Sequence, residues 1–127
     1  MLSKALAVTT IAVTDLERAK EFYGGKLRLI VLDETPFAVR YGTAHGSQLS
    51  VRRGTPNLGQ TVVHFEIDDI ELAVKELSER GVSFEEYESP KTENFIAVVG
   101  PARGAWFKDP DGNVIGLRQG PVPADAR

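Results

Sequence analysis

The sequence contains no cysteine. Disulfide staples, thiol nucleophiles and thiolate metal sites are therefore excluded. It has no apolar run long enough to span a bilayer, and the run in its opening Met1-Leu2-Ser3-Lys4-Ala5-Leu6-Ala7-Val8 is too short for a secretory signal. It has no basic stripe either. Lys and Arg are scattered and the formal net charge is -3, which argues against nucleic acid as a partner. The expectation is a cytoplasmic protein with neither membrane nor nucleic acid among its partners. What is present is ordinary for a globular chain: 42% hydrophobic and 26% charged residues over 127 positions. That is enough for one domain whose core needs no covalent staple.

Taken in order, Ala5 to Val13 alternates like a strand, with Ile11 and Val13 on one face and Val8, Thr10 and Ala12 on the other. Asp15 reads as a helix N-cap with Glu17 in the first turn, and Leu16, Ala19, Phe22 and Tyr23 recur at helical spacing until Gly24-Gly25 ends the helix. Strands are expected at Leu27 to Asp33, Phe37 to Gly42 and Gln48 to Arg53. The pattern then recurs. Thr61 to Ile67 is a strand, Asp68-Asp69 caps a helix with Ile70, Ala73, Val74 and Leu77 as its buried stripe, Gly81 closes it, and Val82 to Tyr87 begins another strand.

Superposing Asp15 on Asp69 also places Val13 on Ile67, Ala19 on Ala73 and Val8 on Val62. A longer shift pairs Gly46 with Gly112, Leu49 with Ile115, Ser50 with Gly116 and Arg52 with Arg118, so the second copy carries extra residues before its last hairpin. The chain is thus read as two βαβββ modules, about 5–53 and about 61–119, within a single domain at 1–120 followed by a flexible tail at 121–127. One such module covers only one face of its sheet with a helix. Two side by side give an α+β fold with a curved mixed sheet, helices outside and a concave face free for a ligand.

The most specific stretch is Trp106-Phe107-Lys108-Asp109-Pro110-Asp111-Gly112-Asn113-Val114-Ile115-Gly116-Leu117. Pro110 pre-sets φ in the turn, and Gly112 accepts φ > 0 without steric penalty. This hairpin resembles the closing hairpin of the vicinal oxygen chelate superfamily of glyoxalases, bleomycin-resistance proteins and extradiol dioxygenases. The resemblance extends from about Leu6 to Gln119 and implies the paired-module fold. It further implies that, in metal-using relatives, the ligands stand at the places of Val8, Ser50, Val62 and Gly116, usually as His, Glu, His or Gln, and Glu. Gln48 replaces Ser50 if the hairpin register differs by two. Here two of the four are valine and one is glycine. No metal and no other cofactor is expected, since such a cation wants three or four O or N ligands.

The strand faces turned away from the helices carry the candidate site. They hold Thr10, Ser50, His64, Glu66 and Arg118, with Trp106 as an apolar wall. His64 is either a half-buried, hydrogen-bonded side chain or a ligand-contacting one, and His64 with Glu66 are the candidate catalytic pair. The loops around 89–104 are either a cover for one end of the cavity, with Arg103 available to an anion, or merely a longer hairpin. Open sheet edges and a partly apolar concave face favour a homodimer. The functional expectation is a bleomycin-resistance-like protein that binds a small molecule without metal. The alternative is an enzyme of glyoxalase, isomerase, lyase or dioxygenase type working through His64 and Glu66 or a non-standard metal site.

Overall fold

A computed structural model describes residues 1–123. The chain forms two compact units, Met1–Leu58 and Gly59 onward, and each contains one mixed sheet with a helix. These are the two modules expected from the repeat.

In the first module, β1 (Val8–Val13) leads into α1 (Leu16–Lys20), followed by β2 (Ile30–Glu34), β3 (Ala38–Gly42) and β4 (Gln48–Arg53). The sheet order is β1-β4-β3-β2, with β1 parallel to β4 and the other pairs antiparallel. Asp15 starts α1 by accepting a hydrogen bond from the Arg18 amide at 3.1 Å, the side-chain cap that satisfies one of the orphan donors of the first turn. Gly24-Gly25 does not end the helix. The coil widens into a π turn over Glu21–Lys26, in which the Leu27 amide reaches back five residues to the Phe22 carbonyl at 2.9 Å. Phe22 and Tyr23 therefore both point into the core with Leu16 and Ala19, and Val39, Tyr41 and Val51 of the sheet are buried as well. Tyr41 is 1% exposed and packs beside Tyr23 with ring centroids 6.2 Å apart. It is a core residue.

In the second module, β5 (Thr61–Glu66) leads into α2 (Ile70–Glu79), then β6 (Thr92–Glu93), β7 (Ile96–Val99), β8 (Ala102–Lys108) and β9 (Val114–Gln119), with sheet order β5-β9-β8-β7-β6. Asp69 repeats the cap, accepting from the Leu72 amide at 3.1 Å. The side chain of Gln119 adds a second acceptor at this helix start, 2.8 Å from the Ile70 amide. Ile70 is fully buried, a burial worth roughly 1.5–3 kcal/mol.

The strand expected at Val82 to Tyr87 does not form. Its backbone meets β8 through a bridge from Phe84 to Phe107 and a bond from the Glu85 amide to the Trp106 carbonyl. The reason lies in the extra hairpin, because β7 already occupies the same edge of β8 from Ala102 to Gly104. Only the far half of that edge remains free for residues 84–85.

The two modules repeat in register as well as in order. Thr10 faces Ser50 across the β1–β4 pair, and His64 faces Gly116 across β5–β9. Ala12 with Arg52 corresponds in the same way to Glu66 with Arg118. This settles the pairing of Ser50, and Gln48 stands opposite Val8 instead. The closing turn is also as read: Gly112 has φ 93° and its amide bonds the Asp109 carbonyl at 3.0 Å. Of the tail, the Pro121 carbonyl accepts from Arg118 at 3.0 Å, and positions 124–127 lie outside the described residues.

Candidate functional site

The second module carries a hollow of about 360 Å³ on the sheet face away from α2. His64, Trp106, Gly116 and Arg118 line it together with Thr61 and Pro101. Strand alternation puts His64 and Glu66 on one face of β5, and the parallel register sets them beside Gly116 and Arg118. The antiparallel β8–β9 pair then brings Trp106 opposite Gly116 and Gly104 opposite Arg118.

At the rim runs a short polar chain. His64 Nε2 lies 2.9 Å from Glu66 Oε1, and Arg118 Nη1 donates to Glu66 Oε2 at 2.8 Å. Both oxygens of Glu66 are thus engaged. Partial burial pushes the Glu66 carboxyl upward, but the hydrogen bonds from His64 and Arg118 outweigh it and hold the group below its ordinary value. The carboxylate is ionised at neutral pH and is held facing two donors. His64 itself is about half exposed and hydrogen-bonded to Glu66, so its ring borders the hollow and is not sealed in the core.

The floor is aromatic. The Trp106 indole lies across two glycines of the strand pair. A Cβ on Gly116 would stand 3.4 Å from Trp106 Cδ1 and Nε1 and 3.2 Å from the Cβ of His64. A Cβ on Gly104 would stand 3.0 Å from Cη2 of the same indole. At Gly104 the added carbon would crowd the ring, and at Gly116 it would touch the ring and crowd the His64 Cβ.

Of the residues singled out from sequence, His64, Glu66, Trp106 and Arg118 come together here. Thr10 and Ser50 belong to the first module, where they face each other, Thr10 exposed and Ser50 buried. Arg103 also lines the hollow. Its guanidinium pairs with Glu71 at 2.8 Å and reaches Gln119 at 3.3 Å. Thr61 was missed because of a bulge: Thr61 pairs with Val114 and Val63 with Ile115, which leaves Val62 as the extra residue. A bulge inserts one residue and re-aims its neighbours, and a plain count of alternation passes over it. Gly104 could have been found from the hairpin register, two places before Trp106 on the same face.

The donor set does not fit a divalent metal. Val8 and Val62 offer carbon, Gly116 has no side chain, and Ser50 is a lone neutral oxygen. Among the described residues, no group of three or more His, Asp or Glu side chains could hold a metal ion. His64 and Glu66 are bonded to each other, with the Arg118 cation against the same carboxylate. That charge opposes a second cation.

Paired βαβββ modules with an open, partly aromatic hollow define a small-molecule-binding class. The chain belongs to the Glyoxalase/Bleomycin resistance protein/Dioxygenase superfamily, whose family model matches residues 5–117. Among solved structures it is similar to TnmS3, an antibiotic binding protein from Streptomyces sp. CB03234, at 26% identity and a TM-score of 0.71, covering 95% of this chain and 99% of that one. It is similar to a glyoxalase/bleomycin resistance protein from the same Streptomyces, at 28% identity and a TM-score of 0.69, covering 91% and 100%. A superfamily member from Sphaerobacter thermophilus DSM 20745 gives 26% identity and a TM-score of 0.73, covering 94% and 99%. No curated protein matches the chain. Among the described residues, no helix is long and apolar enough to cross a membrane.

Proposed function

We propose that this chain is a cytoplasmic small-molecule-binding protein of the bleomycin-resistance type, which sequesters its ligand without a metal. The observation that carries the reading is the substitution at the centre of the second module. Where metal-using relatives place a Glu, the chain has Gly116, and the freed space holds the Trp106 indole. An aromatic surface contributes area burial and stacking to a ligand. It contributes nothing as a Lewis acid, which in metal enzymes stabilises developing charge by several kcal/mol. The similarity to an antibiotic binding protein over nearly the whole chain supports the same reading.

His64 and Glu66 then serve recognition. The imidazole, its Nε2 bonded to Glu66, turns Nδ1 to the rim, the Arg118 guanidinium presents hydrogen-bond donors there, and Glu66 fixes the positions of both. The proposal includes pairing of two copies. The outer strand β2 is exposed along its whole length, with Ile30, Val31 and Leu32 uncovered, and such an edge invites a partner strand. Light scattering at micromolar concentration reads this directly, with a persistent monomer counting against it.

Native mass spectrometry with a panel of antibiotic natural products, repeated after treatment with EDTA, tests the function. The expected result is a one-to-one adduct per chain that survives the chelator. Stoichiometric metal removed by EDTA together with ligand binding would overturn the reading, as would turnover of a bound compound.

A further inference from the structure

The hollow beside His64 is not the only one that meets Trp106. A second hollow of about 310 Å³ begins on the same ring and is lined by Gln60, Thr61, Tyr87, Ser89, Pro90 and Trp106 among others. Thr61 and Trp106 belong to both. The two ends differ in chemistry. The first has His64, Arg103 and Arg118 in its wall, whereas no charged side chain lines the second. Tyr87 meets Trp106 edge to face, with ring centroids 5.6 Å apart and planes at 70°. This geometry suits two aromatic quadrupoles and leaves the pair as one continuous apolar surface. Burial, aided by the nearby Glu85, raises the Tyr87 phenol above its ordinary value, so that end stays uncharged at neutral pH.

We infer that Trp106 joins the two hollows into one elongated site for a molecule with two aromatic parts, an anionic group at the Arg118 end and an uncharged part at the Tyr87 end. This rests on the reading that the hollow beside His64 binds small molecules. The sheet gives up side chains at Gly104 and Gly116 so that the indole can lie against the strands. A molecule crossing from one hollow to the other therefore passes over the ring, gaining stacking at the middle of its length. At the anionic end, Arg118 uses Nη1 for Glu66 and the Pro121 carbonyl. Its other N–H groups remain for the ligand, because a guanidinium carries five donors. At the far end Tyr87, Gln60 and Ser89 set length and shape. The segment 87–90 is thus a specificity-determining wall, not only a connection made necessary by the extra hairpin.

Two probes separate this inference from the reading beneath it. Naphthalene-1-sulfonate has one ring system and an anionic group, and 8-anilinonaphthalene-1-sulfonate adds a second ring. Trp106 is the only tryptophan, so quenching of its emission reports binding of either probe to the chain, and the variants locate it. The wild-type protein should bind the two-ring probe about tenfold more tightly than the one-ring probe, the ratio expected when an added group gains about 1.4 kcal/mol. Tyr87→Ala, which removes one wall, and Gln60→Phe, which fills the second hollow from an exposed position, should each abolish that advantage. One-ring binding should stay within about twofold in both variants, which is under about 0.5 kcal/mol. If Tyr87→Ala fails to fold, Gln60→Phe carries the test alone. An unchanged advantage in the folded variants would overturn the two-part site and leave small-molecule binding beside His64 standing. Failure of both probes to quench Trp106 in the wild-type protein would overturn the binding reading itself.

Discussion

Trp106 lies over Gly116, and the two are direct partners across the β8–β9 pair. A Cβ added to the glycine would stand 3.2 Å from the Cβ of His64 and 3.4 Å from the indole. The same residue whose side chain would complete a metal site in a metal-using relative here makes room for an aromatic floor. Ligand chemistry and local packing are therefore tied to one position.

Gly116→Ala should accordingly destabilise the protein. Removing a glycine from a strand favours folding by about 0.5–1 kcal/mol, whereas overpacking costs about 1–3 kcal/mol. The His64 Cβ is fixed to the backbone and cannot give way, so the second effect wins. Urea denaturation should show the loss, and the emission maximum of Trp106 should shift as the ring is lifted. An alanine variant as stable as the parent, with unchanged emission, would mean that the ring does not depend on the glycine.

His64→Ala should leave the fold intact and weaken ligand binding by about 1–3 kcal/mol, the cost of a lost buried hydrogen bond. The side chain is about half exposed in the free protein and its loss opens no core cavity. Circular dichroism and calorimetry on the same sample separate the two effects. Unfolding, with normal affinity in the folded fraction, would assign His64 to structure.

The Glu66 carboxyl is held below its unfolded value, so its contribution to stability is present above the unfolded pKa, near 4.3. That contribution is lost as pH falls through the lower folded value. The pair is solvent-exposed in large part, and the effect is small. Denaturation midpoints measured from pH 7 down to pH 3 should fall less steeply for Glu66→Gln than for the parent. Parallel curves would show that the His64–Glu66–Arg118 chain has no energetic weight in the free protein.

Asp109→Ala should be more damaging than any surface change. The side chain is 4% exposed and accepts from the Asp111 amide at 3.0 Å, the Asn113 amide at 2.9 Å and Asn113 Nδ2 at 2.9 Å. Stranding buried donors costs about 1–3 kcal/mol for each one left unsatisfied. Thermal unfolding should detect a loss above about 2 kcal/mol. A smaller loss would show that water replaces the carboxylate in the turn.

Much of this was legible in the residues because it rests on short-range rules. Asp15 and Asp69 announce both helices by their capping chemistry. The alternation around His64 and Arg118 places both on one face, and the Asp109-Pro110-Asp111-Gly112 turn sets the register that brings Trp106 to Gly116. What was not legible depends on competition between segments. The 82–87 segment has the composition of a strand, but the edge it would pair with is taken by Ile96–Val99. The bulge at Val62 is a one-residue event that moves Thr61 into the hollow. The π turn at Gly24-Gly25 keeps going where glycine usually stops a helix, because Phe22 and Tyr23 are both anchored in the core.

The central claim is that a small molecule binds against Trp106 without a metal. With one tryptophan in the chain, a ¹⁵N–¹H correlation spectrum contains a single indole Nε1–H signal. Titration with naphthalene-1-sulfonate in the presence of EDTA should move that signal saturably, together with the backbone amides of His64, Gly116 and Arg118. An indole signal that stays in place while other amides move, or a shift that vanishes when the chelator is added, would contradict the account.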